Sequence, residues 1–155
     1  MFYHLIETYL GAHFSFLKKK LSQFKGDEIG TGCLTWHLDK LISFNLIKKV
    51  KIKNYLIFLP IEISDEEGIL YFILRNNLNR LIVNLLLERE AMYKAEFYKE
   101  LHFNRAKLYY DIKNLIELGI ISPLFDNENV VCINLDKLDS IKEVILNILH
   151  AKMIK

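Results

Sequence analysis

The stretch Cys33-Leu34-Thr35-Trp36-His37-Leu38-Asp39-Lys40-Leu41-Ile42-Ser43-Phe44-Asn45-Leu46-Ile47 decides the fold, because its pattern occurs twice. The second occurrence is Lys107-Leu108-Tyr109-Tyr110-Asp111-Ile112-Lys113-Asn114-Leu115-Ile116-Glu117-Leu118-Gly119-Ile120-Ile121. A displacement of 74 residues carries Leu34, Leu38, Leu41 and Ile47 onto Leu108, Ile112, Leu115 and Ile121. Apolar residues at i, i+4 and i+7 define one face of a helix. Asn45 and Gly119 fall where a left-handed C-terminal cap belongs.

Both helices run into a short β pattern. The first continues as Leu46 to Ile52, turns at Asn54 and returns as Tyr55 to Leu59. The second continues as Ile120 to Phe125, turns through Asp126 to Asn129 and returns as Val130 to Leu135, and Pro123 confines its first strand to an edge. Two helical patterns precede each copy. They are Met1 to Leu10, closed by Gly11, and His13 to Phe24 in the first, and Leu78 to Arg89 and Lys94 to Leu101 in the second. Asn104 is placed to cap the helix that follows. The turn Ser22 to Gly30 is about six residues longer than its counterpart, His102 to Asn104.

Between the copies Ser64-Asp65-Glu66-Glu67 reads as a capping box opening a helix of Gly68 to Arg75, broken at Asn76-Asn77. After the second ribbon, Leu138, Ile141, Val144, Ile145, Ile148 and Leu149 form the apolar stripe of an amphipathic helix. The expected organisation is a first domain over 1–60, a linker helix over 61–76, a second domain over 77–135 and a C-terminal helix over 136–155. The fold class is mostly α with small β ribbons (α+β).

Composition excludes several alternatives. The 155 residues are 52% hydrophobic and 26% charged, with two Pro and six Gly, which rules out a disordered or collagen-like chain. The longest apolar run, Ile69 to Leu74, is far below the ~18 to 20 residues of a membrane span. Cys33 and Cys132 lie far apart, and Met-Phe-Tyr-His-Leu-Ile-Glu lacks the basic start of a secretory signal. A cytoplasmic protein with free thiols is expected.

Three helices and a ribbon make the plan of a winged helix, in which the third helix enters the major groove and the ribbon lies on the backbone. The segments Gly11-Ala12-His13-Phe14-Ser15-Phe16-Leu17, Gly30-Thr31-Gly32-Cys33-Leu34-Thr35-Trp36-His37-Leu38-Asp39-Lys40-Leu41 and Leu46-Ile47-Lys48 carry a resemblance, as does Leu74 to Ile82 at the entry to the second copy. The chain resembles the archaeal winged helix-turn-helix transcriptional regulators that carry two such domains in tandem. Their motifs read approximately Gly-Ile-His-Phe-x-x-Leu, Gly-Thr-x-x-Tyr-His-Leu-x-x-Leu and Gly-Leu-Ile, so Asn45 replaces an expected Gly. The resemblance implies a DNA-binding regulator and places His37 under the wing.

Charge is divided unevenly. Residues 1–60 hold nine lysines against four acids, a net +5, within a chain of net +2. Phosphate contacts supply much of DNA affinity, so DNA is assigned mainly to the first copy. Thr31, Gly32, Thr35, Trp36 and Lys40 are the outward positions of its third helix, and Lys48, Lys49, Lys51, Lys53, Asn54 and Tyr55 form its wing. The same lysines also suit a ribbon edge that resists strand pairing. In the second copy Arg105, Lys107, Tyr109, Tyr110 and Lys113 are equivalent, with Asp111 and Glu117 on the same helix, and they suit DNA or a protein partner equally.

Leu138, Ile141, Ile145, Ile148 and Leu149 cover the second core or pair two copies into a dimer. Cys33 and His37, one turn apart, supply only two ligands, so no metal site is expected. Phosphate-binding and nucleophile-elbow motifs are absent from the sequence, and neither an enzyme nor a cofactor is expected. The expected function is sequence-specific binding of double-stranded DNA by a homodimeric transcription regulator that does not engage a membrane. The alternative is an adaptor that docks a transcription-machinery protein.

Overall fold

The computed structural model describes residues 1–153, with side chains through Ala151. The chain divides into two compact units, Met1–Phe72 and a second from Ile73 on. The fold class is α+β, with small antiparallel sheets among helices.

The first unit runs α1 (Phe2–Thr8), β1 (Ala12–His13), α2 (Phe14–Lys25), α3 (Thr31–Ser43), β2 (Ile47–Ile52), β3 (Tyr55–Pro60) and α4 (Asp65–Leu74), the last crossing into the second unit at its end. Local chemistry sets these limits. His13 caps α2, its Nδ1 accepting the Phe16 N–H at 3.3 Å, and Gly26 closes the helix at φ 74°. The long turn expected from Ser22 is therefore shortened: α2 continues to Lys25, and residues 26–30 make a connection of ordinary length. Asn45 takes the left-handed conformation at φ 57°, a substitution for Gly that its short polar side chain tolerates.

The ribbon expected here is a three-stranded sheet of order β1-β3-β2. Ala12 and His13 pair with Phe58 and Ile57, a strand too short to leave a periodic signal. Opposed residues share a face and successive residues alternate. Ala12, Ile47 and Phe58 lie on one face, in a core with Leu17, Leu21, Leu34 and Leu38. Ile57 and Leu59 lie on the other, both fully buried. Helix α4 packs on that second face, with Gly68 against the Leu59 side chain and the Phe72 ring 5.1 Å from Tyr55 and 6.1 Å from His13. The helix expected as a linker thus belongs to the sheet it follows. Its first turn is capped by Ser64 Oγ, which accepts the Glu67 N–H at 3.1 Å.

The second unit runs α5 (Asn77–Arg89), β4 (Ala91–Tyr93), α6 (Lys94–Glu100), α7 (Arg105–Glu117), β5 (Ile121–Leu124), β6 (Asn127–Ile133), a short 3-10 turn (Leu135–Lys137) and α8 (Leu138–Met153). Its sheet order is β4-β6-β5, so Pro123 sits on an edge strand as its missing N–H requires. The strands resume sooner than expected, leaving Phe125 and Asp126 as the turn, because Leu124 pairs with Asn127 after a register shift. Leu78, Ile82, Leu86, Phe97, Leu108, Ile112, Leu115 and Val131 are buried core residues.

Asn76 ends one helix and caps the next, its Oδ1 accepting the Leu78 and Asn79 N–H groups at 2.9 and 3.3 Å. Arg80 is buried, which lowers its pKa, and its guanidinium donates to Leu74 O at 2.7 Å, Arg75 O at 2.6 Å and Asn77 Oδ1 at 3.2 Å. A cation thereby satisfies carbonyls at a helix C-terminus, where the helix dipole favours it.

Gly11 is the position where the first unit tolerates least. Its φ is 70°, and a Cβ there would meet the backbone of Gly68 and Phe72. Gly11→Ala is expected to cost about 2–4 kcal/mol, from left-handed strain and overpacking together. Urea unfolding followed by the fluorescence of Trp36, the single tryptophan, measures this, and a loss below about 0.5 kcal/mol would contradict it.

Candidate nucleic-acid interface

Helix α3 is oriented by its apolar stripe. Leu34 and Leu38 are buried and Leu41 and Ile42 half-buried, so the opposite face is in water. Thr31, Gly32, Thr35, Trp36 and Lys40 are all exposed. So are Cys33, Asp39 and Ser43, which the sequence reading did not assign to the interface although the same periodicity places them there.

The exposed groups are partly preset. Thr35 Oγ1 donates to Thr31 O at 2.9 Å, leaving its oxygen as an acceptor. Trp36, 57% exposed, has the His37 ring edge-on at 4.9 Å and the Lys40 ammonium 5.7 Å from its centroid. His37, which the resemblance places under the wing, is half-buried. It stacks on Phe2 at 3.8 Å, because α1 packs on α3 and offers that ring.

The six wing residues separate. Lys48 lies on the α4 face of the sheet and pairs with Asp65 at 2.8 Å. Lys49 and Lys51 alternate onto the face that holds α3, and both are exposed. Lys53 occupies the turn at φ 50°, beside exposed Asn54. Tyr55 lies on the α4 face with its ring on Phe72 and 5.7 Å from His13, so half of it serves the fold. Charge changes accordingly: Glu62, Asp65, Glu66 and Glu67 belong to the first unit and bring the +5 of residues 1–60 down to +1.

A depression beside the start of α3 is lined by Ser15, Lys18, Lys19, Ser22, Glu28 and Thr31, with Phe14 at its side. Lys18 donates to Thr31 Oγ1 at 3.3 Å and faces Glu28 at 3.6 Å. Gly30, the N-cap of α3, supplies no side-chain acceptor to the first turn. Lys18 and Lys19 entered the sequence reading only as charge; the signal that could have placed them is the helical spacing of Phe14, Leu17 and Leu21, which leaves both off the core stripe.

In the second unit Arg105, Lys107, Tyr109, Tyr110 and Lys113 are exposed on α7, the tyrosines at 59% and 61%. Asp111 is not part of that surface: it is buried and takes the Lys107 ammonium at 3.3 Å. The Arg105 guanidinium lies 5.9 Å from the Tyr98 ring centroid. The β5–β6 ribbon differs in kind from the β2–β3 ribbon, with Phe125 fully exposed at its turn beside exposed Leu124, Asp126 and Glu128. On α8, Ile141 and Ile145 are buried within the chain itself, Leu138 and Ile148 are half-buried, and Leu149 is exposed. Two of the five stripe residues are therefore covered within the chain, and the covering thins toward Leu149.

Among the described residues no cluster of three His, Cys, Asp or Glu could hold a metal, and no helix is long and apolar enough to cross a membrane. Cys33 and His37 do not converge on a third ligand.

Over 129 residues the chain is 30% identical to an uncharacterized HTH-type transcriptional regulator of Methanocaldococcus jannaschii. The match covers 83% of this chain and 31% of that protein, so the chain spans about a third of its relative's length. No protein-family model matches the chain. No solved structure matches it either.

The cap of α7 offers a direct check on how the second unit holds its exposed helix. Asn104 Oδ1 accepts the Ala106 and Lys107 N–H groups at 2.8 and 3.4 Å. Asn104→Ala is expected to lower stability by about 1 kcal/mol in urea, and no measurable change would contradict the cap.

Proposed function

We propose that the chain is a cytoplasmic, non-catalytic transcription regulator with two tandem winged helices, reading double-stranded DNA chiefly through the first. The observation that carries this is the outward face of α3, with Thr35, Trp36, Asp39 and Lys40, beside a wing whose Lys49 and Lys51 stand on the same side of the sheet. An α-helix fits the major groove and a basic ribbon fits the backbone beside it. Similarity to an HTH-type regulator supports the same reading.

Each residue then has a role. The Thr35 oxygen accepts from the amino group of cytosine or adenine, and the Trp36 ring lies on a thymine methyl or a sugar. Asp39 accepts from cytosine and repels a misplaced phosphate. Lys40, Lys49, Lys51 and Lys53 take phosphates, as do Ser15, Lys18 and Lys19 at the start of α3, where the uncapped first turn adds its N–H groups. Thr31, Gly32 and Asn54 allow close approach of the backbone. Lys48 and Tyr55 support the wing from behind.

A second reading keeps the fold but assigns α7 to a transcription-machinery protein. Exposed Tyr109 and Tyr110 favour it, as does a second wing carrying acids where a phosphate-binding wing needs lysines.

Fluorescence anisotropy on a labelled duplex across a salt series tests the first reading. Lys49→Glu with Lys51→Glu is expected to weaken binding to every sequence and to reduce the salt slope by about 2, while Lys48→Ala leaves both within error. A wild-type slope in the double variant would remove the wing from the interface. Thr35→Ala and Trp36→Ala are expected to relax preference by about 1–3 kcal/mol at single base pairs with little change in slope, and unchanged preference in both would remove α3 from base reading.

A further inference from the structure

The second unit carries a protruding apolar plug and a groove of matching chemistry, and we propose that two copies of the chain pair by exchanging them. The plug is the β5–β6 turn. Phe125 is fully exposed there and, with its neighbour, makes the tip of the turn apolar. Leu124 beside it is 41% exposed, and Asp126 and Glu128 place two carboxylates at the same tip. The register shift between Pro123 and Leu124 bends the strand at the point where the tip leaves the sheet.

The groove lies between α6 and α7. Ile112, Ile116, Tyr98 and Tyr109 give it apolar walls, and Lys94 and Lys113 bring ammonium groups to it. Glu117 also lines it and takes Lys113 at 3.9 Å. Its volume of about 270 Å³ is large enough for a phenyl ring, and Lys94 and Lys113 are among the residues that line it. An aromatic anchor with two acids at its tip is therefore matched to an apolar slot lined by two lysines and one glutamate, a net positive charge. Both belong to one unit, so in the two-fold arrangement proposed here each copy gives its plug and receives its partner's, and both features are consumed in both copies.

The same surfaces fit phosphate poorly at the wing, which favours a protein occupant, and the charge match favours a second copy over an unrelated chain. The interface is small. Each ring buries roughly 150–250 Å², so the pair falls well under the ~1,600 Å² of a standard interface and dissociates on dilution. The stripe of α8 is not required for it. The inference is separate from the DNA reading, since it is tested without nucleic acid.

Sedimentation velocity of the full chain over a concentration series, at low salt, decides it. Wild type is expected to pass from monomer to dimer, and Phe125→Ser to remain monomeric; Phe125 is wholly exposed, so its loss reads on association and not on folding. Asp126→Lys with Glu128→Lys, and separately Lys94→Glu with Lys113→Glu, are expected to be monomeric alone, since each sets like charges at both contacts. An equimolar mixture of the two restores opposite charges at both contacts and is expected to dimerise as wild type does. A wild type that stays monomeric, a dimer indifferent to Phe125→Ser, a mixture that fails to associate, or a mass that climbs without limit would overturn the exchange.

Discussion

The placement of α3 depends on one contact layer: Leu34 and Leu38 set against Leu17 and Leu21 of α2 and Phe58 of the sheet. Burying each leucine contributes about 1.5–3 kcal/mol, and together they fix the rotation of the helix about its own axis. With those positions inward, Thr35, Trp36, Asp39 and Lys40 have no choice but water. The sheet in turn is held between that core and α4, where the glycines at 11 and 68 permit the approach. The base of the ribbon, at Ile47 and Phe58, is thus packed into the core that holds α3, and the pleat sets Lys49 and Lys51 on that same side.

The two units use one order of elements for opposite surface chemistry. In the first, the ribbon tip carries Lys51, Lys53 and Asn54; in the second, Phe125, Asp126 and Glu128. The helices diverge likewise. Positions that are Thr35, Trp36 and Asp39 in α3 become Tyr109, Tyr110 and Lys113 in α7, and half-buried His37 becomes buried Asp111. His37 is accommodated by an aromatic stack on Phe2, whereas Asp111 is compensated by Lys107. The scaffold tolerates both because neither residue belongs to the leucine stripe that positions the helix.

Much of this was legible in the residues. The doubled Leu-x-x-x-Leu-x-x-Leu stripe locates both exposed helices, and Asn45, Gly119, Asn76 and Asn104 mark helix limits through local hydrogen-bonding and left-handed backbone rather than through long-range contacts. What was not legible is what depends on tertiary pairing. Ala12-His13 and Ala91-Met92-Tyr93 are too short to alternate, yet each becomes a strand by pairing with a long one. Lys48 reads like Lys49 and Lys51 until the pleat sends it to Asp65. The stripe of α8 suits a core cover and an interface equally in the sequence, and the burial of Ile141 and Ile145 is what assigns those two to packing within the chain. The helix of residues 65–74 reads as a linker because nothing in its spacing reveals that Gly68 lies against Leu59 of the sheet.

Amide hydrogen exchange of the full chain with and without saturating duplex DNA tests the central claim most directly, since it reports every segment in one experiment. The account predicts new protection over residues 31–43 and 49–55, with the β5–β6 turn unchanged by DNA. Protection confined to α7 and the second wing, with α3 exchanging as in the free protein, would contradict it.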